Sequence, residues 1–253
     1  MTAKKIELNK IYNEDCLTTL SRMQNNSVDV VITSPPYNMN LRINKGKYKS
    51  RQIVKEFSSK YDGFDDNLPI DEFYELHSEI IRELLRVSNL IFYVIQVVTG
   101  SKRAFFKIIG EFNENLKDII VWDKGVAQPA MQKQVLNRQS EIILVFENDY
   151  PISRQFRSAP FERGKLNDIW NISRGKKLSK DHGAVFPEEL VEKIIRNFTN
   201  EEDVIYDPFL GTGTTAVVAK RLKRNYLGSE FLKSYYDFAK ERIKNTQTHL
   251  ISE

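Results

Sequence analysis

Short runs of apolar, β-branched residues alternate along the chain with stretches whose apolar positions recur every three or four residues. The runs predict strands at Lys10 to Asn13, Val28 to Thr33, Asn89 to Ile95, Lys117 to Trp122, Glu141 to Phe146, Asp203 to Tyr206 and Asn225 to Gly228. Between them Phe73, Leu76, Ile80, Leu84 and Val87 line one side of a helix, as do Phe105, Ile108, Ile109 and Phe112. A further helix opens at Pro187, with Leu190, Val191, Ile194, Ile195 and Phe198 on its buried side. This alternation predicts an α/β fold, a seven-stranded, mostly parallel sheet with helices on both faces.

Two stretches break the rhythm. Residues 39–68 carry Arg42, Lys45, Lys47, Lys49, Arg51, Lys55 and Lys60 against the single acid Glu56 before Asp62, with Tyr48 and Phe57 interleaved. Residues 124–180 are also irregular, and from Pro151 onward they hold Arg154, Arg157, Arg163, Lys165, Arg174, Lys176, Lys177 and Lys180 against Glu162 and Asp168. Irregular segments this long inside one domain are usually functional or disordered.

Composition narrows the class. A chain of 253 residues with 41% hydrophobic and 28% charged side chains supports a sizeable core and argues against disorder. Thirty-eight Lys and Arg against 34 Asp and Glu leave a net charge of +4, with a pI near 8.9. A nucleic-acid surface must therefore come from local clustering rather than from overall charge. The lone Cys16 permits no internal disulfide, the first fifteen residues lack a signal-peptide core, and Leu90 to Val98 is too short to span a bilayer. These features predict a cytoplasmic protein without a membrane partner, and no metal-ligand set is assigned.

Two motifs carry chemistry. Asp207-Pro-Phe-Leu-Gly-Thr-Gly-Thr-Thr215 falls between the strand ending at Tyr206 and the helical run Ala216 to Leu222. A glycine-rich turn in that position lets a cofactor approach the backbone beside the positive end of a helix. No Gly-Lys-Ser/Thr follows, which sets it apart from a phosphate-binding P-loop. Some residues on, past the next strand, Glu230 is placed to accept hydrogen bonds from ribose hydroxyls. Read blandly, the same features are a tight turn and a surface acid.

The other motif is Thr33-Ser-Pro-Pro-Tyr-Asn38, at the carboxyl end of its strand. Prolines terminate strands, and that alone could explain the pair. Paired with a cofactor turn, the motif has a more specific reading. The exocyclic amine of a nucleobase is a poor nucleophile because its lone pair is conjugated into the ring. Ser34 Oγ and the Pro35 carbonyl can accept its two hydrogens and turn the lone pair toward an electrophilic methyl. Pro35 and Pro36 stiffen the backbone, and the Tyr37 ring offers a stacking surface for an extruded base.

On these two motifs the chain resembles the amino-methylating DNA methyltransferases, which use S-adenosylmethionine to methylate cytosine N4 or adenine N6. The Ser-Pro-Pro-Tyr motif precedes the glycine turn, which is the permuted order of the β group. The resemblance covers nearly the whole chain and implies the Rossmann-like fold of S-adenosylmethionine-dependent methyltransferases, with residues 1–253 as a single catalytic domain. It implies cofactor contacts from Asp207, Pro208, Phe209, Gly211, Thr212, Gly213, Thr214, Thr215 and Glu230. Asn13-Glu-Asp-Cys-Leu17 resembles the segment that holds the cofactor's adenine, assigning Asp15 and Cys16. Asp15 also reads as a helix N-cap, and one residue can do both. Asp181-His-Gly-Ala-Val-Phe-Pro187 resembles the segment that closes over the methionine part, assigning His182 and Phe186. Ile120-Val-Trp-Asp-Lys124 matches the strand flanking the target-base pocket, with Trp122 read as core.

The resemblance implies double-stranded DNA as substrate. Residues 124–180 become the target-recognition insertion, and the DNA contacts fall to Lys45, Lys47, Lys49, Arg51, Arg154, Arg157, Arg174, Lys176 and Lys177. A cognate restriction endonuclease and a second copy of the chain are the further partners it allows. Ser34 as the first motif residue, together with His182 to Pro187, favours cytosine N4 over adenine N6. An RNA methyltransferase and a DNA-binding regulator without turnover are the rival readings. Methylation at cytosine C5 is disfavoured, because it needs a cysteine thiolate in a Pro-Cys context and Cys16 follows Asp15.

Overall fold

The computed structural model describes residues 6–38, 41–44, 47–50, 67–128, 133–149, 151–175 and 186–247. Its elements run β1 (Lys10–Tyr12), α1 (Cys16–Leu20), β2 (Val28–Thr33), β3 (Leu41–Asn44), β4 (Lys47–Ser50), α2 (Ile70–Val87), β5 (Ser88–Ile95), α3 (Lys102–Glu111), β6 (Leu116–Gln128), β7 (Arg138–Glu147), β8 (Ile169–Asn171), α4 (Glu188–Phe198), β9 (Val204–Asp207), α5 (Thr214–Arg221), β10 (Asn225–Ser229) and α6 (Lys233–Asn245). One sheet has the order β1-β10-β9-β2-β5-β7-β6-β8, and β3 pairs with β4 in a separate hairpin. Within the sheet only β7 runs against its neighbours.

The expected seven strands are all present, but the sheet has eight. The addition, β8, is three residues long with only Trp170 buried, too short for any period to register. Two further corrections fall in the irregular stretches. Within residues 39–68 β3 pairs antiparallel with β4, and β6 runs past Trp122 to Gln128, where it still pairs with Arg138 of β7. β3 and β4 do alternate, with Leu41, Ile43 and Tyr48 between polar residues, but they are four residues each among many charges, and the end of β6 has no alternation at all.

Period two explains the layering. On β5, Ile91, Tyr93 and Ile95 face a core filled from α1, α2 and α3, while Leu90, Phe92 and Val94 face one filled from α4 and α5. Most of these six side chains are fully excluded from solvent, so the strand reads as a continuous apolar run rather than an alternation. A smaller cluster of Ile11, Leu210, Ala216, Val217, Ala239 and Ile243 fastens α5 and α6 beside β1. The helix α4 buries Leu190, Val191, Ile194, Ile195 and Phe198, the face its spacing predicts.

Candidate active site

The parallel strands β1, β10, β9 and β2 all end at one edge of the sheet, where open α/β folds bind their ligands. Local hydrogen bonds lace the loops leaving that edge. Asn13 Nδ2 donates to the carbonyls of Glu230 at 2.8 Å and Phe231 at 3.0 Å, the Leu210 N–H donates to Ser229 O, and the Glu230 N–H donates to Tyr12 O. Both chemical motifs lie here, one after β2 and one after β9.

Asp207 ties the two together. Its Oδ1 accepts from Thr33 Oγ1 at 2.8 Å and from the Phe209 N–H at 3.0 Å, and its Oδ2 accepts from Thr215 Oγ1 at 2.7 Å. Thr33 immediately precedes Ser34, and Thr215 lies in the first turn of α5. One carboxylate thus fixes the last residue of β2, the start of the glycine turn and the helix after it. Burial pushes its pKa up to about 6, against the opposing pull of these three donors.

The two glycines of the turn answer different needs. Gly211 sits at φ +54, and a Cβ there would meet nothing closer than Phe209 O at 3.9 Å. The space above it is open, which suits a ligand lying against the backbone. Gly213, at φ +84, would put a Cβ 2.8 Å from that of Ala239, so its missing side chain lets α6 pack close to the turn. From the far side, Arg242 Nη1 donates to Thr212 O at 2.7 Å while its Nη2 bonds Glu188 of α4 at 3.0 Å.

Glu230 lies under the turn rather than free on a surface. Its Oε2 accepts from the Gly211 N–H and its Oε1 from the Leu232 N–H, both at 2.8 Å, and burial raises its pKa. A carboxylate oxygen has two lone-pair sites, so one site per oxygen remains for a ribose hydroxyl. Asp15 caps α1, with Oδ1 accepting from the Leu17 N–H at 2.8 Å, and is otherwise exposed. Cys16 turns its side chain into the core, where burial lifts the thiol to about 12. It can offer a ligand only its backbone, and as a nucleophile it is inert. The open glycine cradle, the exposed Asp15 carboxylate and the half-used Glu230 fit a cofactor carrying a ribose and an adenine.

In the other motif Pro35 is buried, while Ser34, Pro36 and Tyr37 are half-buried. Ser34 Oγ lies 2.7 Å from Tyr37 Oη, which donates to Glu141 Oε2 at 3.0 Å, and Lys124 Nζ donates to Glu141 Oε1 at 2.9 Å. The antiparallel β7 makes this reach feasible, because its amino-terminal end lies where β5 leaves the sheet. Glu141 was not legible as a site residue, and Lys124 only as the end of the segment resembling the flank of the target-base pocket. The one signal was an acid heading the apolar run Ile142 to Phe146, opposite Trp122. Trp122 itself is core, with Nε1 donating to Ile172 O at 2.7 Å.

Asn38, the last residue of the motif, is buried at φ +55, and its Nδ2 donates to Leu68 O at 2.9 Å and Gly100 O at 3.0 Å. Of the residues assigned to the cofactor's methionine part, Phe186 packs on the core beneath α4, and His182 lies outside the described residues. Of those assigned to DNA, Arg154, Arg157 and Arg174 are exposed, Arg174 beside the Val126 carbonyl of β6. Lys47 and Lys49 fall on β4, where only the backbone is described, and Lys45, Arg51, Lys176 and Lys177 lie outside the described residues.

Comparison with known proteins agrees with this geometry. Residues 28–241 match the family model for DNA methylases of the N6 and N4 type. Type II methyltransferase M.HinfI of Haemophilus influenzae is 30% identical over 260 residues, spanning 94% of this chain and 68% of the relative. Among solved structures, the cytosine-N4-specific PvuII DNA methyltransferase superposes with a TM-score of 0.69 at 16% identity, covering 98% of this chain and 90% of that one. A complex of M1.HpyAVI with S-adenosylmethionine gives 0.59 at 23% identity, over 92% and 98%. With a family model matched over most of its length, the chain belongs to the DNA methylase family, S-adenosylmethionine-dependent enzymes that methylate the exocyclic amine of cytosine or adenine. Among the described residues no helix is long and apolar enough to cross a membrane.

Proposed function

We propose that this enzyme methylates cytosine N4 in duplex DNA, acting on a base rotated out of the helix and stacked on Tyr37. The observation that carries the reading is the Thr33–Asp207 hydrogen bond, which seats Ser34 one residue from the acid that opens the cofactor turn. S-adenosylmethionine held there supplies an electrophilic methyl group. Ser34 Oγ and the Pro35 carbonyl accept the two amine hydrogens and direct the nitrogen lone pair. Serine rather than a carboxylate as the first motif residue is what favours cytosine N4 over adenine N6.

In this reading DNA is gripped by two regions. The basic segment 39–68 holds phosphates, and the β6–β7 arm with residues 151–175 reads sequence. The arm exposes Val126, Val135 and Leu136, with Arg138 at the base of β7, a mixture suited to a groove. A cognate endonuclease reading the same site is the partner that type II relatives imply.

Nucleoside mass spectrometry of DNA incubated with enzyme and cofactor tests the target. N4-methylcytosine is the expected product, N6-methyladenine would reassign the base, and product in RNA alone would reassign the substrate. Ser34→Ala tests the chemistry. Single-turnover transfer should fall by about ten- to a thousandfold, with cofactor and DNA affinities unchanged. Wild-type transfer by that variant would overturn the assignment.

A further inference from the structure

Ser34, Tyr37, Glu141 and Lys124 form an unbroken polar chain, and the chemistry of its far end fixes the direction of every bond in it. Lys124 has three donors and no acceptor, and its side chain is 3% exposed against 13% for Glu141. Held against that ammonium at 2.9 Å, the Glu141 carboxylate is the acceptor on both sides, from Lys124 and from Tyr37. Tyr37 has one hydroxyl proton, and it goes to Glu141 Oε2 at 3.0 Å. The phenolic oxygen then faces Ser34 with lone pairs alone. The Ser34 proton must therefore point at Tyr37, across 2.7 Å. What Ser34 Oγ has left for a substrate is lone pairs.

We propose that Lys124 and Glu141 are positioning residues that lock Ser34 into the hydrogen-bond acceptor state its reaction requires. A serine hydroxyl rotates freely and can donate as readily as accept. A donating Ser34 would set its own proton against the N–H of the target amine, or spend it on the amine's lone pair, the electrons the methyl group must receive. Anchoring the proton on Tyr37 removes both states before the base arrives. The anchor is itself fixed, since Lys124 lies 5.8 Å over the ring of the buried Trp122. Tyr37 thereby has two separable functions, a ring for stacking and a hydroxyl that orients Ser34. The proposal rests on Ser34 being the amine's acceptor.

Two near-isosteric substitutions test it in the full chain. Tyr37→Phe keeps the ring but frees the Ser34 hydroxyl, and single-turnover methyl transfer should drop about tenfold with DNA and cofactor affinities unchanged. Glu141→Gln places an amide whose oxygen accepts from Lys124 and whose NH2 faces Tyr37, which reverses the chain and turns a proton toward Ser34. Its transfer rate should fall further than that of Tyr37→Phe. The double variant should match Tyr37→Phe alone, because without the hydroxyl there is nothing left to reverse. Wild-type rates in both single variants, or losses that multiply in the double, would overturn the proposal. If Glu141→Gln fails to fold, Tyr37→Phe alone decides. Loss in Ser34→Ala with normal Tyr37→Phe and Glu141→Gln removes the positioning role and keeps the reaction, whereas normal transfer by Ser34→Ala removes the reaction assignment itself.

Discussion

The two halves of the sheet are built on different rules. Strands β1, β10, β9, β2 and β5 are parallel and mostly buried on both faces, and they end together at the edge carrying the glycine-rich turn. Strands β7, β6 and β8 are mixed in direction, and β6 and β7 extend beyond the core as an arm with exposed side chains. In the parallel half the glycine turn is shaped by backbone: two glycines, and N–H groups that donate to the buried carboxylates of Asp207 and Glu230. The other half contributes side chains. This difference predicts where change is felt: around the glycine turn a substitution should alter cofactor binding or stability, whereas at Ser34 and Tyr37 and along the β6–β7 arm it should alter what is done with DNA.

The largest effect that could break this division is at Gly211. Gly211→Ala adds a methyl group to the open side of the turn at a backbone cost of about 1 kcal/mol, so the fold survives. Affinity for S-adenosylmethionine should fall by about a hundredfold, read by calorimetry on the folded variant. Two residues on, Gly213→Ala should act on the fold instead. Its Cβ lies 2.8 Å from Ala239 at a left-handed φ, which costs about 2–4 kcal/mol and lowers the melting temperature by roughly 5–15 °C. Equal melting temperatures for the two variants would erase the distinction between cradle and packing glycine.

A comparable effect depends on pH. Asp207 binds its proton more tightly when folded, with a pKa of about 6, than when unfolded, where it titrates at the ordinary 3.8. Its contribution to stability is therefore greatest below pH 4 and declines as pH rises through 6, by about 3 kcal/mol at roughly 1.4 kcal/mol per pH unit of displacement. Denaturant titrations of the wild type and Asp207→Asn from pH 4 to pH 7 should converge or cross in that sense. Parallel curves would mean that the three donors outweigh the cost of burial.

The smallest effects belong to the DNA side. Removing charge at Lys45, Lys47 and Lys49 should weaken binding to all sequences alike, lowering the salt dependence by roughly 0.9 in slope for each phosphate left without its lysine. Arg174→Ala, beside β6, should instead shift sequence preference, read by methylation of an oligonucleotide library. A reversal of these two outcomes would exchange the roles assigned to the two basic regions.

The same division decided what could be read from sequence. In the parallel half the hydrophobic runs were long, and Pro, Gly and Asp stood where strand gives way to turn, so β2, β9 and the Asp207 turn were legible nearly to the residue. Glu230 was correctly placed near the turn, but its two backbone hydrogen bonds were hidden, because which oxygen meets which N–H is a matter of tertiary geometry. In the other half β8 and the end of β6 gave no period. Glu141, and its pairing with Lys124, were invisible for a different reason. They are 17 positions apart and meet only because β7 reverses direction beside β6.

Asn38 gives the molecule a modular boundary. By holding the Leu68 and Gly100 carbonyls at one side chain, it pins the entry and exit of the segment between residues 38 and 68 to a common point. Chain inserted between pinned ends adds little closure entropy, about 0.6 kcal/mol for each doubling of length. That segment should therefore tolerate being shortened, lengthened or exchanged while Ser34 and Tyr37 keep their places, so the part of the chain proposed to hold DNA could be varied by grafting without redesigning β2.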